Sequence, residues 1–325
     1  MITSGGRKDP PADAIQLHDV ALAALANCYG RHFLEMKLIV DGINRTYRLT
    51  TDDGSFYLRL YRPLGRSLEE IGYELALVDV LAQKQDVAVS KAVRNVEGNA
   101  LTRFILEGEA RVGCLFTAAE GREPCLDSED MQRLGSALAK LHNASANFKP
   151  TFLRTLDPVC IGYEAIEALR RVGPIGERIA EQVLREGIDL MTELANRRLP
   201  LGACHGDVWT GNARIESETV TFFDFDECGQ GALIFDLGAL PLHLRDLSDA
   251  AALWESFLSA YQVKRPLNAL ESASLPLCVV FHQLRILLAL ARFNTLTEAL
   301  WETTAQRTRL TFERFRATPS VVDTR

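Results

Sequence analysis

An α+β chain in two lobes is what this sequence predicts: a small antiparallel-sheet lobe with one main helix, then a mainly helical lobe. Three observations carry the prediction. From residue 33 to 61, the β-rich runs LEMKLIV, NRTYRLTT and SFYLRLYRP alternate with turns at Asp41-Gly42 and Asp52-Asp53-Gly54, the pattern of successive hairpins. From about residue 121, apolar residues recur instead at helical spacing. Late in the chain, residues 204–238 gather carboxylates and an asparagine on short turns around one apolar run, TVTFF.

Taken in order, residues 1–14 read as a flexible tail with no apolar core of a signal peptide. Residues 15–29 carry Leu17, Val20, Ala24 and Leu25 at helical spacing. The hairpin strands follow, closed by Pro63 and Gly65. Ser67 and Glu70 form a capping box, and Ile71, Leu75, Val78, Leu81 and Ala82 make the buried stripe of the helix it opens. VAVSKAV and NALTRFIL read as strands around Glu97-Gly98-Asn99, and ARVGCLFTAA as a third strand ending at Glu120-Gly121. Ser128 is the expected cap of a helix over 128–142, with Met131, Leu134, Leu138 and Leu141 on one face. Helices are expected over 161–172 and 175–197, broken by Gly173-Pro174, and over 248–262 and 275–316. The composition shift sets the lobes at 15–120 and 121–325.

The chain has 325 residues, enough for two cores, and a net charge of −7 with acids and bases interleaved. No basic block points to nucleic acid or an anionic membrane. The acidic balance is ordinary for a soluble chain and compatible with a cationic partner. Seven cysteines without a C-x-x-C pair indicate neither a disulfide framework nor a zinc site; they read as the reduced thiols of a cytoplasmic protein. The clearly apolar segment at 286–291 is far too short to cross a membrane.

The chemistry concentrates after Cys204. An apolar run leads into Asp224-Phe225-Asp226-Glu227, and carboxylates at the mouth of a buried strand call for a cation or a basic partner. Asp224 is the first of them and the expected metal ligand; magnesium suits one or two carboxylates plus phosphate oxygens. Asp207 of His205-Gly206-Asp207 can accept a proton from an attacking hydroxyl, and Asn212 can turn its amide oxygen to the metal. His142 and His282 read as structural, Arg285 as packing that can also reach an acid, and Cys204 as no nucleophile.

H-G-D-x-x-x-x-N, the apolar run into D-F-D, and D-L-G with Asp236 twelve residues after Asp224 resemble the aminoglycoside phosphotransferase and choline kinase family. Within it, NRTYRL, LRLYRP, LGSALAKLH and FHQLRILLALARF look most like the stress response kinase A group, with homoserine kinase as the nearest small-molecule relative. The resemblance implies a protein-kinase-like fold, with a nucleotide-binding lobe at 15–120 and a catalytic and acceptor-binding lobe at 121–325. It also implies transfer of the γ-phosphate of ATP, with Mg²⁺, to a hydroxyl of a protein or of a small metabolite or antibiotic. Asp207 would be the base, His205 would orient its loop, Asn212 and Asp224 would hold the metal, Asp226 would be a second acid beside it, and Asp236 would brace the loop. Arg59 stands where the family usually has a phosphate-contacting Lys, with Glu74 as its helix partner. VDGINRT, including Asn44, would cover the phosphates, and the adenine would meet Leu115 to Ala118, with Leu115 and Thr117 as contacts. Glu164, Glu167, Asp189 and Glu193 are candidates for a cationic acceptor. A non-catalytic nucleotide-binding scaffold, and an aspartyl phosphatase suggested by F-D-F-D, are the competing readings.

Overall fold

In the computed structural model, residues 14–42, 44–62, 65–106, 109–293 and 296–316 are described. The expected tail up to residue 13, Ile43 of VDGINRT and the strand-closing Pro63 lie outside them. Helix α1 (Ala14–Tyr29) precedes three antiparallel strands, β1 (Glu35–Asp41), β2 (Arg45–Thr51) and β3 (Gly54–Tyr61). The Asp-Gly turns therefore do join hairpins. α2 (Leu68–Leu81) opens on the expected capping box: Glu70 N donates to Ser67 Oγ at 3.2 Å and Ser67 N to Glu70 Oε2 at 2.8 Å.

The run VAVSKAV is not one strand. Its first part, β4 (Ala88–Val89), joins a different sheet from its second, β5 (Ala92–Val93). β6 (Leu101–Leu106) and β7 (Glu109–Thr117) complete the first sheet, ordered β1-β2-β3-β7-β5 with β6 also on β7. Leu25 and Tyr29 of α1 share one apolar cluster with Leu49, Leu58, Leu60 and Leu115 of this sheet. At its edge, Leu38, Ile39 and Val40 of β1 stay about half exposed.

The remaining helices are α3 (Ser128–Ala144), α4 (Pro158–Arg170), α5 (Pro174–Gln182), α6 (Ile188–Asn196), α7 (Leu240–Leu244), α8 (Ala250–Lys264), α9 (Ala269–Phe293) and α10 (Glu298–Arg316). Asp127, not Ser128, caps α3, because its carboxylate accepts from Asp130 N at 2.9 Å while the Ser128 hydroxyl turns to Ser256. The helix expected over 175–197 is interrupted by a π turn at Val183–Gly187. Four short strands lie between α6 and α7. β9 (Ala213–Glu216) and β10 (Thr219–Phe222) form a hairpin that carries β4 in parallel, and β8 (Leu201–Cys204) pairs with β11 (Gly229–Ala232).

The chain packs as two compact units, residues up to 66 with 91–118, and 67–90 with 119–325. This differs from a division at 120, since α2 falls in the second unit. The reason is apolar: Tyr73, Leu77, Val78 and Leu81 of α2 belong to the same buried cluster as Met131, Phe222 and Phe225, and each such side chain contributes about 1.5–3 kcal/mol by its burial.

α9 corrects a second expectation. Over its 25 residues an 18-residue window reaches a mean hydropathy of 1.7, long and apolar enough by composition to cross a membrane. Most of that window is buried inside the fold, and Glu271, Ser274, His282, Gln283 and Arg285 are buried with it. None of the seven cysteines forms a disulfide.

Candidate active site

The turn after β8 is built on a buried carboxylate. Asp236, in the turn Leu233–Leu237, accepts from His205 N through Oδ2 and from Gly206 N through Oδ1, both at 2.7 Å. His142 Nε2 donates to the same Oδ2 at 3.0 Å, and its Nδ1 meets the Tyr261 hydroxyl at 2.7 Å. Burial alone would raise the Asp236 carboxyl; the bond from His142, the nearby imidazoles and Gly206 N–H outweigh it and hold the group below the ordinary carboxylate range. Asp236 thus acts on the loop through main-chain amides.

Gly206 has φ 91°, and a Cβ there would lie 1.9 Å from the Glu227 carbonyl oxygen. Only glycine permits both the left-handed backbone and this close approach. The contact brings the loop that carries Asp207 against the turn that carries Glu227. Arg285 of α9 joins the same two loops. Its Nη1 donates to the Gly206 carbonyl, and its Nη2 donates to Glu227 O at 3.0 Å and Oε2 at 2.5 Å. Packing was the default expectation for Arg285; it packs, and it also staples.

His205 has no exposure. Its Nε2 donates to Phe223 O at 3.1 Å and its Nδ1 accepts from Asp207 N at 3.3 Å. Burial first, and Arg285 after it, hold the imidazole below its usual pKa against Asp236 and Asp224. With both nitrogens engaged by main chain, the ring orients the loop.

Asp207 is partly buried. Burial pushes its carboxyl up to about 6, against the pull of Arg285; Asp224 and Glu227 add to the rise and the Asn212 hydrogen bond opposes it. Asn212, in the turn Thr210–Asn212, donates through Nδ2 to Asp207 O at 2.9 Å and to Asp207 Oδ2 at 2.8 Å. Both amide hydrogens go to acceptors, which fixes the amide's orientation and leaves the oxygen as the group to offer a ligand. Trp209, between them in sequence, stacks nearly parallel on His243 at 4.2 Å. Thr210 Oγ1 donates to Glu123 at 3.3 Å, and the segment before Glu123 is pinned at Gly121, where a Cβ would lie 2.1 Å from Ile215 O.

After β10, Asp224 is exposed and sits at φ 66°, ψ 60°. An Asp in the left-handed region costs on the order of 1 kcal/mol and is held by its surroundings. The turn Phe225–Glu227 follows. Within it Asp226 is buried, and its carbonyl accepts from Arg154 Nη1 at 2.7 Å. The donor set fits a hard divalent cation: a carboxylate at Asp224 and an oriented amide oxygen at Asn212 are oxygen ligands of the kind such ions take.

In the smaller unit, Arg59 is buried on β3, in register with Thr46 and Cys114, and lies over the Phe116 ring at 5.3 Å. The Asn44 side chain accepts from Arg62 N at 3.2 Å and so ties the β1–β2 turn to the end of β3. Thr117 exchanges main-chain and side-chain bonds with Lys91 at 2.9 Å. Leu115, expected to meet the adenine, lies inside the sheet. It is wholly buried in the sheet core and its backbone lies in the ladder between β3 and β5, so main-chain groups become available only past the end of β7. Glu74 is buried in α2 of the larger unit. Of the acids considered for an acceptor, Glu164 pairs with Arg292 at 2.9 Å and Glu193 with Arg197; Asp189 is exposed on α6 and Glu167 on α4. Arg154 had no signal in the sequence. It lies outside any periodic stripe, and its partner Asp226 is 72 residues away.

Asp207, the oriented amide of Asn212 and the carboxylate of Asp224 thus stand on neighbouring turns. The sequence model of the phosphotransferase enzyme family matches residues 37–270, and the chain belongs to this family. A homoserine kinase of a Methylobacterium species is 30% identical over 287 residues, 84% of this chain and 85% of that protein. One of Neisseria meningitidis serogroup B is 29% identical over 252 residues, 75% and 78% of the two chains. Among solved structures, an amicoumacin kinase in complex with AMP-PNP and Ca²⁺ superposes with a TM-score of 0.75 at 21% identity, over 95% of this chain and 97% of that one. The fold is α+β and protein-kinase-like, as expected, and the chain is an enzyme. Neither the non-catalytic scaffold nor the aspartyl phosphatase fits this membership.

Proposed function

We propose that the chain is a cytoplasmic kinase that transfers the γ-phosphoryl group of ATP, as its magnesium complex, to the hydroxyl of a small amino alcohol or hydroxylated amino acid. The observation that carries this reading is the double hydrogen bond from Asn212 to Asp207. It aligns a carboxylate for a hydroxyl proton and in the same stroke aims an amide oxygen toward a cation held with Asp224. Asp207 orients the acceptor hydroxyl and takes its proton late, as the oxygen–phosphorus bond forms and ADP leaves. A carboxyl pushed up to about 6 is a stronger base than an ordinary Asp and is still ionised at neutral pH. Asn212 and Asp224 hold the divalent ion, with Asp226 as the second acid of the turn. When bound, that ion offsets charge developing on the phosphate oxygens. Within the smaller unit, Arg59, Asn44 and Thr117 are the residues assigned to the nucleotide, Arg59 because a guanidinium fork suits phosphate oxygens.

Homoserine and aminopropanol are named in relatives and in a solved neighbour, and each carries an amine near its hydroxyl. A net charge of −7 suits the protonated amine that both carry. The test is ADP release, with ATP and Mg²⁺, on homoserine, aminopropanol, an aminoglycoside and myelin basic protein. Turnover is expected with a small amino-hydroxy compound. Label transferred to the protein and to none of the small molecules would replace this reading with a protein kinase.

A further inference from the structure

The turn that presents Asp224 is held from below by two buried guanidinium groups. Arg285 takes the Glu227 carbonyl, and Arg154 takes the carbonyl of the residue before it, Asp226, at 2.7 Å. Arg285 also serves Gly206; Arg154 serves a different neighbour. Its Nε lies 3.7 Å from Glu70 Oε1, and Glu70 is the carboxylate of the α2 capping box, whose Oε2 accepts from Ser67 N. The Arg154 main chain is fixed as well. Its carbonyl accepts from Gln230 N at 2.6 Å, and Leu156 N donates to Gln230 O at 2.8 Å, which adds this segment to the edge of β11.

Burying a guanidinium is costly where a hydrophobic residue could fill the space. The groups that Arg154 meets explain its presence. It joins the first turn of α2, the edge of β11 and the metal-side turn. That turn must keep Asp224 in the left-handed region, which an Asp does not hold unaided. Phe225 packs with Tyr73 and Leu77 of α2 in one cluster, but apolar packing fixes the ring and not the peptide planes. A charge-assisted bond to the Asp226 carbonyl does fix a peptide plane, two residues from Asp224.

We propose that Arg154 is a positioning residue for the metal site: it clamps the Phe225–Glu227 turn to the capped end of α2 and so keeps Asp224 pre-set for the divalent ion. This rests on the reading of Asp224 and Asn212 as metal ligands. Residues that orient a ligand from behind change metal affinity by about 10- to 100-fold when removed, and Arg154, acting through the peptide, belongs at the lower end.

The experiment titrates Mn²⁺ into the full chain with AMP-PNP present. Free Mn²⁺ is read by electron paramagnetic resonance, and Tm is measured in parallel. Arg154→Met is expected to weaken Mn²⁺ binding about tenfold. Arg154→Lys, which keeps the charge but not the two-sided reach, should recover to within about threefold of the parent. The acceptor KM should be unchanged in both. Mn²⁺ affinity in Arg154→Met equal to the parent's, with only Tm lowered, overturns the proposal and leaves Arg154 a fold brace. If Arg154→Met does not fold, Arg154→Gln is titrated in its place, and parent-like Mn²⁺ affinity in that variant overturns the proposal equally. Asp224→Ala separates the two levels. If that variant binds Mn²⁺ like the parent, the metal-site reading itself falls. If it binds weakly while Arg154→Met does not, only the role of Arg154 falls.

Discussion

Asn212 spends both hydrogens of its side-chain amide on Asp207, one on the carbonyl at 2.9 Å and one on Oδ2 at 2.8 Å. The two residues therefore act as a unit, and replacing either disturbs the other. Asp207→Ala should lower turnover by at least a thousandfold with a far smaller effect on nucleotide affinity, because the base is lost while Asn212 keeps its bond to the carbonyl of residue 207. Asn212→Ala should lower turnover and also raise the Mg²⁺ requirement. Steady-state kinetics at varied Mg²⁺ tell the two apart, and parent-like turnover in Asp207→Ala removes it as the base.

Asp207 should also cost the protein stability. Its carboxyl is pushed up to about 6 in the fold, above the unfolded value of about 3.9. A raised carboxylate pKa means the folded state binds the proton more tightly. Folding is therefore penalised progressively as pH climbs from about 4 to 6, and the penalty is full above that. Asp207→Asn removes the charge and keeps an acceptor for Asn212. It should be more stable than the parent by about 3 kcal/mol at pH 7.5 and close to it near pH 4. Thermal melts across that range check this, and a Tm gain independent of pH would contradict it.

Asp236 has the opposite sign. Its folded pKa is held below the ordinary carboxylate value, so its contribution is complete above the unfolded pKa and disappears as pH falls through the folded one. Asp236→Ala leaves two loop amides and His142 without their acceptor and should cost about 3–5 kcal/mol in urea unfolding at pH 7. A loss under 1 kcal/mol would show that the loop holds itself.

Gly206→Ala combines a positive φ with a Cβ placed 1.9 Å from backbone. The Asp207 and Glu227 loops must then part, and turnover should drop more than a hundredfold even where the variant folds. Kinetics on the folded fraction, isolated by size-exclusion chromatography, gives the answer.

Arg59→Lys keeps a cation on β3 but gives up the planar group over Phe116. It should stay active with a modestly raised KM for ATP. Arg59→Ala should raise that KM by at least tenfold, and an unchanged value would take Arg59 out of the nucleotide site.

The acids of the site were legible because they are local in sequence. His205 to Asn212 and Asp224 to Asp226 each span a single turn, and a turn leaves few ways to arrange its side chains. The hairpins were legible through their Asp-Gly pairs. What escaped was long-range. Arg154 and Arg285 reach their carbonyls from other parts of the fold, and a lone Arg has the same signature on a surface. The burial of Leu115 was not legible either, because strand position tells where a residue falls along the sheet but not whether its backbone is already paired. α2 was assigned by order in the chain, whereas Tyr73 and Leu77 choose the larger core. α9 was underestimated because its polar residues break the apolar run, and it took the fold to show them buried inside one continuous helix.

Those polar residues have a second consequence. An unfolded nascent chain carrying α9 offers an insertion machinery an 18-residue window of high mean hydropathy. Arg285, in the inner half of that stretch, opposes entry into lipid by about 2.5–3.5 kcal/mol on the scale of a charged residue at a helix centre. The guanidinium that joins two active-site loops in the folded enzyme is thus also a mark against misrouting before the enzyme has folded. Arg285→Leu would erase both at once.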